Sequence, residues 1–167
     1  VALWKSSWTA LSTDEGKTWS RPVQEPSLIM AKAKVWGQCT PDGRYALVYN
    51  PTRDNRHRWP LALVTGDDGA AFDHLLTVVG EVPPRRYNGL DKAFGPQYVR
   101  GIVEGNGTPP GDAFWITWSM NKDDIWVSRI PTPVRATVSE PVRDDFNTGT
   151  IESLPWNLYS PLWASVR

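Results

Sequence analysis

The sequence contains very few of the residues that bind metals through sulfur or nitrogen. Among its 167 residues it has one cysteine, Cys39, and two histidines, His57 and His74. A single cysteine cannot form a disulfide within the chain, and these three residues do not have the Cys/His spacing of a zinc site. We therefore expect no metal and no cofactor, and the cysteine content does not indicate a cellular compartment.

Net charge and long apolar runs are also lacking. The 18 basic and 18 acidic residues cancel, so a broad electropositive surface for nucleic acid is not expected. No apolar run reaches the roughly 18 residues of a membrane-spanning helix, and no signal-peptide pattern opens the chain. We predict neither a nucleic-acid partner nor membrane insertion. Because the chain begins without Met, in a segment with the pattern of a strand, we expect its start to be a break in a longer protein.

Tryptophan, in contrast, is abundant, with ten residues spread along the chain. Most of them should pack between sheets, because tryptophan is a large core residue. The others are candidates for stacking on sugar rings, and Trp36 is predicted to be one of these. The hydrophobic content of 40% is enough to bury a core.

A repeat organises the chain. Residues 12–19 read Ser-Thr-Asp-Glu-Gly-Lys-Thr-Trp and are matched at 65–72, where Thr replaces Ser and Phe replaces Trp. A weaker third copy at 119–126 keeps the hydroxyl, the amide and the aromatic residue and lacks the glycine. The copies begin at 12, 65 and 119, which are 53 and 54 residues apart. A near-constant period of this kind predicts a repeat architecture.

Each copy has the chemistry of a tight turn. Asp at the third position can accept hydrogen bonds from backbone N–H groups of its own turn, and Gly two residues later can adopt a positive φ. The aromatic residue, and Trp19 in particular, should be buried beneath the hairpin. The residues with these structural roles are Ser12, Asp14, Gly16 and Trp19 in the first copy, and Asp67, Gly69 and Phe72 in the second.

Segments with the alternating pattern of β-strands lie between the copies. The predicted strands are 2–8, 35–40, 45–50, 61–64, 98–104 and 114–118, with turns at 41–44 and 105–107. Four strands in each period of about 50 residues are typical of a propeller blade. We therefore predict an all-β fold with almost no helix, a β-propeller fragment of about three four-stranded antiparallel blades over residues 1–133.

Residues 12–19 resemble the Asp-box (Ser-x-Asp-x-Gly-x-Thr-Trp) of the sialidase superfamily. The closing blades of sialidase-like glycosidases and of propeller polysaccharide lyases are similar to four further stretches, TPDGRYALVYNP, HRWPLALVTGDDG, FGPQYVRGIVEGNG and WITWSMNKDDIWVSRIP. The resemblance covers residues 1–133 and implies that N-terminal blades of the same propeller are missing. Residues 134–167 resemble a linker and the start of an appended domain. The resemblance also implies a secreted protein, extracellular or periplasmic, that acts on carbohydrate.

The resemblance also places the candidate site. In the family, the Asp-box hairpin joins the third and fourth strands of a blade, on the face opposite the active site. The active face should then carry the loops 50–59 and 81–97, which are polar and charged. Glu104 would lie roughly 20 Å along its strand from Tyr98, at the opposite face, so we rank it low as a catalytic acid.

The candidate residues come mainly from these loops and from the strand that follows them. The resemblance implies a tyrosine nucleophile assisted by a glutamate, arginines that hold the sugar carboxylate, and an aspartate as acid or base. The predicted catalytic residues are Tyr98, Arg58, His57 and Asp54. The predicted substrate-binding residues are Arg100, Arg53, Asn55, Trp36, Tyr87 and Asp91. Arg58 and His57 should share a face with Tyr98 and form one side of a cleft for an anionic sugar.

Three functions remain open. The first is a sialidase-like glycoside hydrolase that acts on an acidic glycan, although no Glu occurs at 33–38, the inner strand from which one would activate the tyrosine. The second is a polysaccharide lyase, in which Tyr98 or His57 removes the proton next to a uronate carboxylate that Arg58 and Arg100 neutralise. The third is a non-catalytic glycan-binding propeller. A lyase product absorbs in the ultraviolet, a hydrolase product does not, and a binding protein shows no turnover.

Overall fold

The computed structural model describes residues 1–26, 28–102 and 112–134, except for the side chains of Asp73, His74 and Phe114. Glu104, the predicted turn at 105–107 and the predicted linker beyond residue 134 lie outside the described residues. No helix in the described part of the chain is long and apolar enough to cross a membrane.

In the part of the chain that the structure describes, ten strands form three antiparallel sheets. The first sheet contains β1 (Ala2–Trp4), β2 (Trp8–Ala10) and β3 (Val23–Gln24). The second contains β4 (Trp36–Cys39), β5 (Tyr45–Tyr49), β6 (Leu61–Gly66) and β7 (Asp73–Val79). The third contains β8 (Pro96–Ile102), β9 (Ala113–Met120) and β10 (Asp124–Pro131). Within the described residues the one helical element is a 3₁₀ turn at Lys5–Ser7, so the predicted all-β class with almost no helix is confirmed.

The second sheet has the predicted form of a blade. Its four strands are neighbours in chain order, and the β4–β5 register runs from Trp36 opposite Val48 to Cys39 opposite Tyr45. The first and third sheets each have three strands among the described residues, where the repeat predicts four. The pairing of β8 with β9 also agrees with the predicted hairpin.

The predicted single strand at 2–8 is wrong. The chain reverses within it, so that Ala2 lies opposite Ala10 and Trp4 opposite Trp8. Ser6 and Ser7 adopt φ values of 61° and 57° at the reversal. The alternating pattern does not reveal this turn, because the residues on both sides of it have the same strand character.

The second sheet is buried on both faces, which explains the unbroken apolar run of β6. One face packs against the third sheet, and the shared cluster includes Ala46, Val48, Leu61, Leu63, Val99, Ile116, Trp118 and Met120. The other face packs towards the N-terminal sheet, and its cluster includes Met30, Leu47, Tyr49 and Val64 with Leu3 and Leu28. Successive residues of β5 therefore belong to different cores, and the three sheets form a stack.

The first strands of the second and third sheets, β4 and β8, lie side by side. The indole of Trp36 on β4 packs directly on Gly101 of β8, because a Cβ at Gly101 would lie 1.7 Å from Trp36 Cζ2. Residue 101 must therefore lack a side chain at this crossing. The adjacency of the first strands is the arrangement expected of neighbouring propeller blades.

The loops divide between the two ends of the stack. At one end, the β4–β5 turn and the second Asp-box turn are joined by Arg44, whose Nε lies 2.6 Å from Asp67 Oδ1. At the other end, the 50–59 loop meets the segment before β8, since the Arg58 amide donates to the Phe94 carbonyl at 2.6 Å. The predicted separation of the Asp-box turn from the 50–59 and 81–97 loops is therefore present in the second sheet.

The interpretation of 119–126 as a third Asp-box copy is wrong. This segment forms the β9–β10 hairpin, which joins the second and third strands of its sheet rather than the third and fourth. Its turn lies at the same end as the 50–59 loop, because the Asn121 amide donates to the Gly95 carbonyl at 3.0 Å. The spacing of 54 residues misleads here because the two turns follow different numbers of strands. Among the described strands of its sheet, two precede the turn at 119–126, whereas three precede the copy at 65–72.

Candidate functional site

The first Asp-box turn is held by Asp14, as predicted. Its carboxylate accepts hydrogen bonds from the Thr18 amide at 2.9 Å, the Thr18 hydroxyl at 2.6 Å and the Ser12 hydroxyl at 2.8 Å. Ser12 Oγ in turn accepts from the amide of Gly16, which has a φ of 85°. These bonds, with the Thr18 hydroxyl the largest cause, lower the pKa of Asp14 to about 2.

The predicted burial of Trp19 is wrong. Its side chain is 48% exposed, and its indole N–H donates to the Gly16 carbonyl at 3.0 Å. The ring therefore lies against its own turn. Burial would need a further layer over the hairpin, and the described residues do not supply one.

The second Asp-box turn uses a different aspartate from the predicted one. Asp68, rather than Asp67, accepts hydrogen bonds from the amides of Ala70 and Ala71, both at 2.8 Å, and these amides lower its pKa. Asp67 pairs with Arg44 instead. Gly69 has a φ of 72° and the Tyr45 ring lies against it, so the glycine keeps the predicted role. The half-buried Phe72 packs on the core towards the N-terminal sheet.

Acidification is expected to loosen the first turn. A carboxyl group with a lowered folded pKa contributes stability that is complete above its unfolded pKa, here 3.8, and is lost as the pH falls through the folded value of about 2. Hydrogen exchange at the Thr18 amide, corrected for intrinsic rates, should therefore accelerate between about pH 4 and pH 2. Asp14→Ala, which removes the acceptor, should expose this amide throughout, whereas Glu15→Ala should not. Equal protection at pH 5 and pH 2 would contradict the assignment.

The two polar loops meet at the opposite end of the stack. His57 and Phe94 form a parallel β-bridge, with the Phe94 amide donating to the Arg56 carbonyl at 2.7 Å. Gly95 follows with a φ of 97°, and a Cβ there would lie 2.7 Å from the Arg58 carbonyl oxygen. The bridge brings the predicted residues His57 and Arg58 beside the start of β8.

Two buried asparagines hold this junction, and the sequence analysis did not identify either of them. Asn50, 1% exposed, donates from Nδ2 to the carbonyls of Arg58, Pro60 and Pro96, each at 2.9 Å. Asn121, also 1% exposed, accepts from the Gly95 amide at 2.7 Å and donates to the Pro83 carbonyl at 2.8 Å. Each asparagine directly follows the last residue of the second strand in its sheet. That shared position is the signal that could have revealed them.

Tyr98 stands at an irregularity of β8. Its φ is 57°, the register with β9 shifts between Gln97 and Arg100, and the side chain is 49% exposed. A positive φ is costly for a bulky residue, and such strain is concentrated at functional sites. Tyr98 and Arg100 both lie on the exposed side of the strand.

Three cations surround the tyrosine. The ammonium of Lys34 lies 5.9 Å from the ring centroid and that of Lys122 lies 5.3 Å from it. The third cation is Arg58, whose guanidinium interacts electrostatically with Tyr98 and with Asp54. Burial lowers the pKa of Arg58, and both interactions oppose that effect. Arg58 is therefore near enough to Tyr98 for the two groups to interact electrostatically.

Asp54 is arranged to stay ionised. It accepts from the Arg56 amide at 2.8 Å, and this bond is the largest cause of its lowered pKa, followed by the charges of His57 and Arg56. An ionised carboxylate can accept a proton or balance a positive charge, but it cannot donate a proton. This environment suits Asp54 to the role of base or charge partner better than to that of acid.

The other predicted binding residues lie in different surroundings. Arg53 and Asn55 line a separate cleft of about 380 Å³ that they share with Ser6, Ser7 and Lys32. Trp36 packs on Gly101 between two sheets. Of these three predicted residues, Asn55 is linked to the group around Tyr98, because its carbonyl accepts a hydrogen bond from Arg58 Nε at 2.8 Å.

Tyr87 and Asp91 lie in the 81–97 loop, which is tied to the β9–β10 turn. Tyr87 is exposed, with Arg86 and Lys92 each 5.5 Å from its ring centroid. The Asp91 carbonyl accepts from the Lys122 ammonium. Lys92 pairs with Asp123 in a contact whose side chains are only 11% and 3% exposed, and Arg86 pairs with Asp124. These ion pairs fix the loop next to Lys122.

A larger cleft of about 830 Å³ lies between the first two sheets at the Asp-box end. Apolar side chains such as Leu3, Leu28, Leu47 and Phe72 line it, and no Lys or Arg does. It is a gap between packed sheets. The convergence of charged groups at Tyr98 is therefore the better candidate site, although the cleft is larger.

No family model, no curated protein and no solved structure matches this chain. The functional argument therefore depends on the geometry around Tyr98.

Proposed function

We propose that this chain contributes the site of a sialidase-like, carbohydrate-active enzyme that acts on an acidic glycan. The observation that supports the proposal is the placement of Tyr98, held at a φ of 57° in a β-bulge and surrounded by Arg58, Lys34 and Lys122. A strained, exposed hydroxyl among cations suits a reaction on a negatively charged sugar. In this proposal the sheets are blades of a propeller, further N-terminal blades complete the cleft, and the protein is extracellular or periplasmic.

As a hydrolase, the site would use Tyr98 as nucleophile. The phenolic oxygen attacks the anomeric carbon and passes its proton to a base, for which His57 is the candidate. The glycosidic C–O bond breaks, the leaving oxygen takes a proton from an acid, and water then cleaves the tyrosyl–sugar bond. Arg58 holds the sugar carboxylate through its planar guanidinium.

A lyase is the second candidate, and a specific observation favours it. Among the described residues, no carboxylate forms a hydrogen bond with Tyr98, and the lowered pKa of Asp54 keeps it ionised at neutral pH, so that it has no proton to donate. In a β-elimination, Tyr98 as its phenolate removes the proton next to the carboxylate and becomes a hydroxyl, the C–O bond to the leaving sugar breaks, and a C=C double bond forms. The same hydroxyl can return the proton to the leaving oxygen, so the step needs cations and a tyrosine but no second carboxyl group.

Product analysis separates these functions. The longest natural chain that contains these residues would be incubated with a sialoside and with polyuronates, while ultraviolet absorbance and released reducing sugar are followed. Absorbance that rises with cleavage identifies a lyase, and cleavage without it identifies a hydrolase. Binding without cleavage would identify the remaining alternative, a non-catalytic glycan-binding propeller, and would contradict the enzyme proposal.

Arg58→Ala should lower kcat/KM for the acidic substrate by about ten- to a hundredfold, because one charge-assisted contact is lost. The effect on a neutral analogue should be much smaller. Arg21→Ala, an exposed arginine at the other end of the stack, is the matched control. Equal losses on acidic and neutral sugars would contradict the assigned role of Arg58.

A further inference from the structure

We infer that Lys34 and Lys122 form an anion-binding subsite on Tyr98, which takes the acidic substituent of the glycan. The inference rests on the proposed function and deepens it, because it assigns the recognition of the negative charge to two lysines that lie far apart in the sequence. Both ammonium groups lie within 6 Å of the centroid of the same tyrosine ring, at 5.9 Å and 5.3 Å. An anion bound by these ammonium groups would lie beside the Tyr98 side chain.

The two lysines come from separate elements with fixed backbones. Lys34 precedes β4 and is exposed, while its neighbour Ala33 is buried. Lys122 lies in the β9–β10 turn at a φ of 55°, directly after the buried Asn121. The second and third sheets thus each contribute one cation, and the distance between the cations depends on how these sheets pack. Such a pair is a product of the tertiary structure rather than of a local motif.

The charges at this subsite are not balanced by the surrounding protein. Among the described residues, no carboxylate forms an ion pair with Lys34 or with Lys122. The nearby cations Lys92 and Arg86, which hold the 81–97 loop, do pair with carboxylates, those of Asp123 and Asp124. The Lys122 ammonium donates to the Asp91 carbonyl, which carries no net charge, so the charges of both lysines at Tyr98 can still attract an external anion. A bound anion would relieve the repulsion between them and Arg58.

The residue type indicates the class of anion. A lysine ammonium is a compact point charge and does not require the planar, bidentate geometry that an arginine favours. The subsite should therefore accept a carboxylate or a sulfate ester on a sugar. The carboxylate and the sulfate ester have in common a single negatively charged group on the sugar, which would lie beside the Tyr98 side chain.

Calorimetric binding at low ionic strength tests the subsite. The probes are 3′-sialyllactose, tetragalacturonate and a sulfated galactose tetrasaccharide, together with lactose and carboxyl-reduced tetragalacturonate as neutral counterparts. Lys34→Gln with Lys122→Gln should weaken binding of an acidic probe by about ten- to a hundredfold, because each lost charged contact contributes modestly to the binding free energy. Lys34→Arg with Lys122→Arg should retain most of the affinity. The acidic probe that binds best identifies the substituent as carboxylate or sulfate.

Lys17→Gln, in the first Asp-box turn, is the control and should bind like the unaltered protein. Unchanged affinity in the double glutamine variant would overturn the subsite, as would an equal loss for the neutral probes. Failure of the unaltered protein to bind any acidic probe would overturn it as well. Binding to Tyr98→Phe separates this inference from the proposed function. If that variant keeps full turnover while the lysine variants lose affinity, the role proposed for Tyr98 in the reaction fails and the subsite stands.

Discussion

Replacing Tyr98 with Phe is expected to reduce turnover of the acidic glycan by about a hundredfold or more, the scale of a lost proton-transfer group. The substitution removes one oxygen and keeps the ring with its two lysine contacts. The backbone strain at a φ of 57° is the same for both residues, so the free energy of unfolding should hardly change. The affinity for the acidic probe should stay nearly unchanged, and the loss of activity should appear as a lower kcat.

Steady-state kinetics and thermal unfolding of the same preparation check this expectation. Tyr45→Phe is the matched control, because Tyr45 is a partly exposed tyrosine at the Asp-box end whose ring lies against Gly69. It should leave kcat unchanged. Full turnover in Tyr98→Phe would remove Tyr98 from the chemistry, whichever reaction the protein performs.

Asn50→Ala should lower the free energy of unfolding by about 2–4 kcal/mol, because it leaves three buried carbonyl groups without their donor. Those carbonyls belong to Arg58, Pro60 and Pro96, so the substitution affects both sides of the candidate site at once. Asn50→Asp should cost more, since a carboxylate would face the same three oxygens. Urea denaturation measures the loss, and amide exchange at Phe94 shows whether the junction opens.

The exposed Asn88 supplies the comparison for that experiment. Asn88→Ala should change stability by no more than about 0.5 kcal/mol, the usual range for a surface substitution. Should Asn50→Ala prove as stable as Asn88→Ala, the amide would not be the clamp that holds the 50–59 loop to β8.

Local chemistry explains why parts of this fold could be predicted. The β4–β5 hairpin follows from an apolar alternation around a Pro-Asp-Gly turn, and the Asp14 turn follows from a carboxylate four residues before Thr18. Both features depend on residues that are neighbours in sequence, so no other part of the molecule is needed to form them. The predicted approach of Arg58 to Tyr98 depended on the resemblance, which placed the loops at one end.

Residues that depend on neighbouring sheets could not be predicted in the same way. Trp19 carries the pattern of a buried aromatic and is exposed, because burial depends on what covers the hairpin. Asp67 stands at the Asp-box position, yet Arg44 from another turn engages it and Asp68 takes its role. The period of 54 residues suggested a third Asp-box at 119–126, whereas strand pairing assigns that segment to the opposite end.

The sequence by itself determined the all-β class and the turns of the central sheet. These properties arise from alternation, turn residues and spacing, which act over a few residues. The packing of the sheets alone decided that Asn50 and Asn121 clamp the junction, and that Lys34 and Lys122 each lie near the Tyr98 ring. The physical reason is that each of these groups acts through contacts with residues more than 20 positions away, and such contacts exist only once the second and third sheets are packed.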